Sequence, residues 1–215
     1  SPFIPGLQHI TQGVDLEAFN LQTSTDTQST QSSPPGVLRL GWAGNRLSMV
    51  KGFREFVQPM ADIPGVELVV AGFADQNLPL EDMPDFYRSI DAYISASSFE
   101  GSNNSTIEAA AMQRAIITTM NGTAPEYLIN EYSALIVERD LEQFRTAVTR
   151  LRDQPDLRRR LGGAARQALI EGGWSWAQKA EHHRKFFRQA LEGAYGKPDD
   201  RPAVSIDSER EYVRV

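Results

Sequence analysis

Two cations on one short glycine-rich stretch are the first residues here whose types and spacing point to chemistry. In "GWAGNRLSMVKGF", Arg46 and Lys51 lie five positions apart, among Gly41, Gly44 and Gly52. Glycines permit close backbone approach. An Arg offers a planar fork of donors and a Lys a compact charge, a combination that can grip a diphosphate. The same pair also suits a solvated surface, and the phosphate loop ending in Gly-Lys-Ser/Thr is not matched.

The second candidate is "SSFEGSNNSTIEAAA", in which Glu100 and Glu108 enclose seven residues, Gly101, Ser102, Asn103, Asn104, Ser105, Thr106 and Ile107. The pattern predicts a loop over Phe99–Asn103 and a helix starting near Asn104 or Ser105. A helix N-terminus presents N–H groups without intrahelical partners and partial positive charge, which suits a phosphate. Ser105-Thr-Ile-Glu108 also fits a capping box, in which Glu108 reaches back to a backbone N–H. Alternatively, the two oxygens of Glu108 accept from a sugar diol. Glu100 stands ahead of a loop with no obvious structural need for a carboxylate. The two glutamates suit different parts of one ligand better than an acid–base pair flanking one bond.

Other residues have plainer roles. In "TTMNGTAPEYLINE", Gly122 marks a turn, Pro125 starts a short helix and Glu126 falls in its first turn, where negative charge is favoured. Adjacent His182 and His183 point in different directions on a helix, whereas a metal pair prefers i, i+4 spacing. Trp174 and Trp176 read as helix anchors. "RLRDQPDLRRR" reads as a solvated helix face.

These residues need a scaffold, and the pattern supplies one. Short apolar runs at 37–43, 66–72, 91–97, 115–119 and 134–137 alternate with helical periodicity. Phe53, Phe56, Val57 and Met60 recur at i, i+3, i+4, i+7; Leu141, Phe144, Val148 and Leu151 nearly do so. Leu157, Leu161, Ala165 and Leu169 follow at i+4 steps. Strands alternating with helices imply an α/β fold with a doubly wound, Rossmann-like parallel sheet. Ligands of such sheets bind beyond the carboxyl ends of the strands, so the loops after Ala43, Gly72, Ser97 and Thr119 are where a site belongs. The expected organisation is a junction and first strand over 1–20, a flexible polar loop over 21–36, a domain over 37–192 and a polar tail over 193–215.

With 40% hydrophobic residues in 215 the chain can build a core. Its net charge of −6 argues against a nucleic-acid partner. It has no cysteine, which excludes disulfides and thiolate metal sites and suits a reducing cytoplasm. No run reaches the ~18 apolar residues of a transmembrane segment, and nothing at the start resembles a signal peptide. A start at Ser1 rather than Met is what a fragment or processed product would show.

Together these pieces resemble the carboxyl-terminal half of family 4 retaining glycosyltransferases, which have two facing Rossmann-like domains (the GT-B fold). The resemblance runs from "ITQGVDLEAF" to about Phe187. "TQGVD" resembles the family's Asn-Gly-Val-Asp junction, with Gln12 in place of Asn. "GNRLSMVKGF" resembles its Gly-Arg-Leu…Lys-Gly loop. "MPDFYRSIDAYISASSFEG", "IEAAA", "GTAPEYL" and "WSWAQKA" follow in family order, and the Glu100–Glu108 spacing matches its paired glutamates.

The resemblance implies a nucleotide-diphosphate sugar donor and no metal cofactor. Arg46 and Lys51 would bind the diphosphate leaving group, Glu100 would lie beside the transferred sugar, and Glu108 would hold the ribose. Backbone groups of Ser102, Asn103, Asn104 and Ser105, with Gly44 and Gly101, would contact sugar and phosphate. Gly72 and Phe73 would lie near the base. Gln113 and Ala115 depart from the family's Gly and Pro in one turn, and the segment Phe73–Pro84 is shorter than usual. The amino-terminal acceptor domain is not in this sequence, and any membrane-peripheral behaviour of a cytoplasmic enzyme would come from it. A non-catalytic scaffold of the same fold, and a GT-B epimerase or hydrolase, are the rival readings.

Overall fold

The structure, a computed structural model, describes residues 10–21, 33–72 and 78–195. Five strands, β1 (Leu38–Ala43), β2 (Val66–Ala71), β3 (Ala92–Ser95), β4 (Ala115–Thr118) and β5 (Leu135–Ile136), form one sheet in the order β2-β1-β3-β4-β5. All neighbours are parallel, with Leu40 opposite both Leu68 and Ala92, and Ile117 opposite Leu135. The helices are α1 (Met83–Ser89), α2 (Asn104–Ala111), α3 (Leu141–Asp153), α4 (Pro155–Glu171) and α5 (Trp176–Tyr195).

Alternation along the strands divides the core between the two faces of the sheet. Leu38, Leu40, Trp42, Ala92, Ile94 and Ile117 pack with Phe144, Val148, Leu151 and Leu161 of α3 and α4. Tyr93 and Ile116 turn the other way, onto Phe86 and Tyr87 of α1, Ile107 of α2 and Leu169. Each large side chain buried in this way contributes roughly 1.5–3 kcal/mol. Coverage of both faces is why the strands read as continuous apolar runs. The doubly wound Rossmann-like reading holds.

One expected helix takes an irregular form. Its apolar residues are placed as the spacing requires, with Phe53, Val57 and Met60 buried and Phe56 against Phe144 at 5.6 Å between ring centroids. The backbone, however, is a 3-10 turn at Met49–Lys51, a π turn at Phe53–Val57 and a 3-10 stretch at Gln58–Asp62. Pro59 lacks an N–H and would press on the carbonyl of Glu55 in a regular α-helix, so the chain changes winding there.

The compact units differ from the boundaries read from sequence. One unit is Thr11–Lys179; the other comprises Ser1–Ile10 and Ala180–Val215. The first therefore begins well before residue 37 and ends before 192. Within residues 10–20 there is no ladder strand, only a parallel bridge from Val14 to Ser175. At the end of the polar loop, Ser33 is buried and held by Asp91, which accepts from its N–H at 2.8 Å and its hydroxyl at 2.6 Å. Asp91 also accepts from the N–H of Arg39 at 2.7 Å. Residues 33–36 are thus anchored where the whole of 21–36 read as flexible, because a buried carboxylate at the foot of β3 needs donors. Residues 22–32 and the tail from 196 lie outside the described residues. In the second unit, the rings of Phe186 and Phe187 on α5 lie 5.6 Å apart.

Candidate functional site

The carboxyl ends of the strands are drawn together by glycine. Gly72 follows β2 with φ +154°, and a Cβ there would fall on the carbonyl oxygen of Gly44, the residue after β1. The N–H of Gly44 donates to Ala71 at 3.0 Å. The chain can leave β2 this close to Gly44 only where residue 72 bears no side chain. Gly44 and Gly72 therefore shape the rim of the site through their backbones. Phe73 lies outside the described residues.

The loop after β3 is fastened on every side. The side-chain amide of Asn103 donates to Ser95 Oγ at 2.8 Å, closing the loop on its own strand. The carbonyl of Ser97 accepts from Thr119 Oγ1 and Asn121 Nδ2, both at 2.7 Å. The N–H of Ser98 donates to the Val50 carbonyl at 2.9 Å, tying this loop to the one carrying Lys51. Asn103 is consequently buried and its side chain faces inward. Gly101, by contrast, has open space where a Cβ would project.

Lys51 and Glu100 meet on this frame: Nζ lies 2.6 Å from Oε1. Gly122, with φ +55°, backs the pair, since a Cβ there would come within 2.9 Å of Glu100 Cβ. Arg139, which the sequence did not single out, braces the same region by donating to the carbonyls of Ala96 and Met49, each at 3.2 Å. Arg46 holds its guanidinium 5.6 Å from the Phe53 ring centroid and lines a cleft with Leu47 and Arg54. Lys51 and Glu100 are thus brought together, and Arg46 precedes Lys51 on the same stretch of chain.

Helix α2 begins at Asn104, as expected, with Asn103 as its N-cap. No side chain caps it, so the capping box is not formed. Glu108 instead accepts from the Tyr87 hydroxyl through Oε2 at 2.8 Å. Burial raises its carboxyl above the ordinary range, and the Tyr87 hydrogen bond pulls it partly back. Glu108 and Asn104 line a cavity of about 700 Å³ whose other walls include Val14, Phe19, Leu80, Pro84 and Trp176. Asp15 and Glu81 add two further carboxylates. A largely apolar cavity with acceptors and, among the described residues, no lining cation is suited to a neutral, donor-rich group rather than to phosphate. Ser102 Oγ, beside the helix start, donates to Asn104 Oδ1 at 3.1 Å.

The remaining candidates divide simply. Trp174 is an anchor: it is buried, 5.0 Å from the Tyr127 ring, with Lys179 Nζ 4.2 Å from its own. Trp176 is half exposed and forms cavity wall instead. Glu126 closes the short 3-10 turn Ala124–Glu126. Gln113 adopts φ 55°, the conformation a glycine holds easily, so the turn after α2 keeps a left-handed shape without one. Among the described residues, no cluster of three or more His, Asp or Glu is placed to hold a metal ion, and no helix is long and apolar enough to cross a membrane.

This fold, with its loops gathered at the carboxyl edge, is that of a GT-B glycosyltransferase domain. The chain belongs to the family described as Glycosyl transferases group 1, which matches residues 38–154. No curated protein sequence matches it. Among solved structures it is similar to sucrose-phosphate synthase from Thermosynechococcus elongatus, with 20% identity over 86% of this chain and 53% of that one and a TM-score of 0.74. Anabaena HepE in complex with UDP and glucose is 12% identical over 84% of this chain and 56% of that one, at a TM-score of 0.69. The C-terminal domain of a group 1 glycosyl transferase, LpcC from Francisella tularensis, is 21% identical over 74% of this chain and 97% of that domain, at a TM-score of 0.61. The chain thus spans about half the length of the first and second of these.

Proposed function

We propose that this chain is the carboxyl-terminal, donor-binding half of a family 4 retaining glycosyltransferase acting on a nucleotide-diphosphate sugar. The observation that carries the proposal is the placement of Glu108. It is released from helix capping and directed to a cavity that begins at the N-terminus of α2. The nucleoside occupies that cavity, with the ribose diol on Glu108. The diphosphate lies at the first turn of α2, over Gly101 and the backbone of Ser102–Ser105, where N–H groups and the helix dipole favour negative charge.

Lys51 and Arg46 supply cations to the diphosphate, and Glu100 lies beside the transferred sugar. As the bond from the anomeric carbon to the diphosphate oxygen breaks, its electron pair departs with the diphosphate. Fixed cations and N–H dipoles stabilise that charge without calling on a metal. HepE, whose structure holds UDP and glucose, supports the choice of donor class.

Val50 and Phe99, next in sequence to Lys51 and Glu100, and Met120 after β4 carry exposed apolar side chains at the carboxyl edge of the sheet. An exposed apolar edge fits closure by a second, acceptor-binding domain, and the length of the matched structures supports one. In this reading the enzyme is cytoplasmic, and any contact with a membrane is made by that other domain.

Calorimetric titration of the chain with UDP, ADP and GDP tests the proposal. One of them binds, and K51A and R46A each weaken it. An affinity indifferent to both substitutions overturns the diphosphate assignment.

A further inference from the structure

Tyr87 belongs to no motif assigned a ligand above, yet packing and hydrogen bonds constrain its side chain closely. It is fully buried, and its ring is held between Phe86, Tyr93 and Phe19 at centroid distances of 4.9, 5.9 and 6.0 Å. Three edge-on or tilted aromatic contacts leave the ring little freedom. Its hydroxyl is thereby fixed 2.8 Å from Glu108 Oε2 and 3.1 Å from the carbonyl of Ser105. A phenol has one proton to give, so the two acceptors compete for it. The charged carboxylate is the stronger acceptor.

We propose that Tyr87 is a positioning residue: it clamps Oε2 of Glu108 so that the carboxylate is already aligned when it meets a ribose diol. The proposal rests on the ribose reading of Glu108 given above. A free glutamate on a helix samples several rotamers, and ordering it costs free energy at the moment of binding. A buried hydroxyl on α1 removes that cost in advance, which is what preorganisation of a site requires.

Charge is the second part of the argument. Tyr87 faces Glu108 within bonding reach, the Ser105 carbonyl and the Tyr93 ring lie beside Tyr87, and Asp15 and Glu81 share the cavity wall. Burial favours the protonated acid, and a protonated Glu108 accepts less well from two sugar hydroxyls. The Tyr87 hydrogen bond opposes that effect and favours the ionised form.

The test compares the chain with Y87F, E108Q and the double variant. Titrations with UDP and its deoxyribose counterpart run from about pH 5 to about pH 8, spanning a raised carboxyl pKa. Y87F weakens UDP binding about tenfold, as loss of a hydrogen bond to a charged group does, and moves the acid-side fall in affinity to higher pH. In the E108Q background it changes neither. Carbon NMR of the Glu108 carboxyl, without nucleotide, shows its titration midpoint raised in Y87F.

An unchanged midpoint, or an equal loss of affinity in both backgrounds, overturns the proposal. A UDP affinity indifferent to E108Q overturns the ribose reading instead, while the NMR midpoint still decides whether Tyr87 holds Glu108. If Y87F does not fold, the unaltered protein decides: the hydroxyl-bearing ring carbon of Tyr87 titrates with the Glu108 midpoint, and a flat response overturns the clamp.

Discussion

The ammonium of Lys51 and the carboxylate of Glu100, from loops after different strands, form an ion pair at 2.6 Å. The side chains keep 28% and 12% of their exposure, so water screens the pair only in part. Two residues proposed for one ligand are thus each other's partner, and a diphosphate has to compete with Glu100 for the ammonium.

That competition gives an unusual expectation. E100Q removes both the rival for Lys51 and a negative charge beside the diphosphate, so UDP binds about two- to tenfold more tightly. K51A weakens the same ligand by about tenfold or more. Both effects shrink as salt is added. Titration calorimetry at low and high ionic strength reads them, and a weaker UDP complex in E100Q contradicts the arrangement.

Two glycines of the site respond in opposite ways to the same methyl group. G72A places a Cβ on the Gly44 carbonyl at a left-handed φ, and lowers stability by about 2 kcal/mol or more. G101A projects into open space and stays within about 0.5 kcal/mol of the unaltered protein, while obstructing the approach to α2. Denaturant unfolding separates the two, and nucleotide titration of G101A reports the obstruction.

Glu108 sets function against stability. Its folded-state carboxyl is raised by burial, so its contribution to stability is fully present below the unfolded pKa and is lost as pH rises through the folded one. E108Q stays neutral throughout and is therefore more stable than the unaltered chain near neutral pH. The difference vanishes in acid. Thermal unfolding across pH checks the sign, and nucleotide affinity falls about tenfold in the same variant.

Much of this was legible in the sequence because it depends on local pattern. The strand–helix alternation, the start of α2 at Asn104 and the loop bearing Glu100 all follow from periodicity and turn chemistry within a few residues. The apolar spacing from Phe53 to Met60 picked out the core-facing side, with Phe53, Val57 and Met60 buried and Phe56 packed against them, even though Pro59 changed the winding of the backbone. Glu108 was ambiguous for the same reason: a capping box and a ligand carboxylate have one local signature.

Only the tertiary structure decided which groups Glu108 and Lys51 meet. The hydroxyl that claims Glu108 comes from Tyr87 on α1, and the carboxylate that claims Lys51 comes from the loop after β3. Residues far apart along the chain become neighbours through the order β2-β1-β3-β4-β5 and through Gly72 turning against Gly44. Local patterning chooses the elements, but hydrogen bonds between elements depend on how the packed sheet brings their ends together.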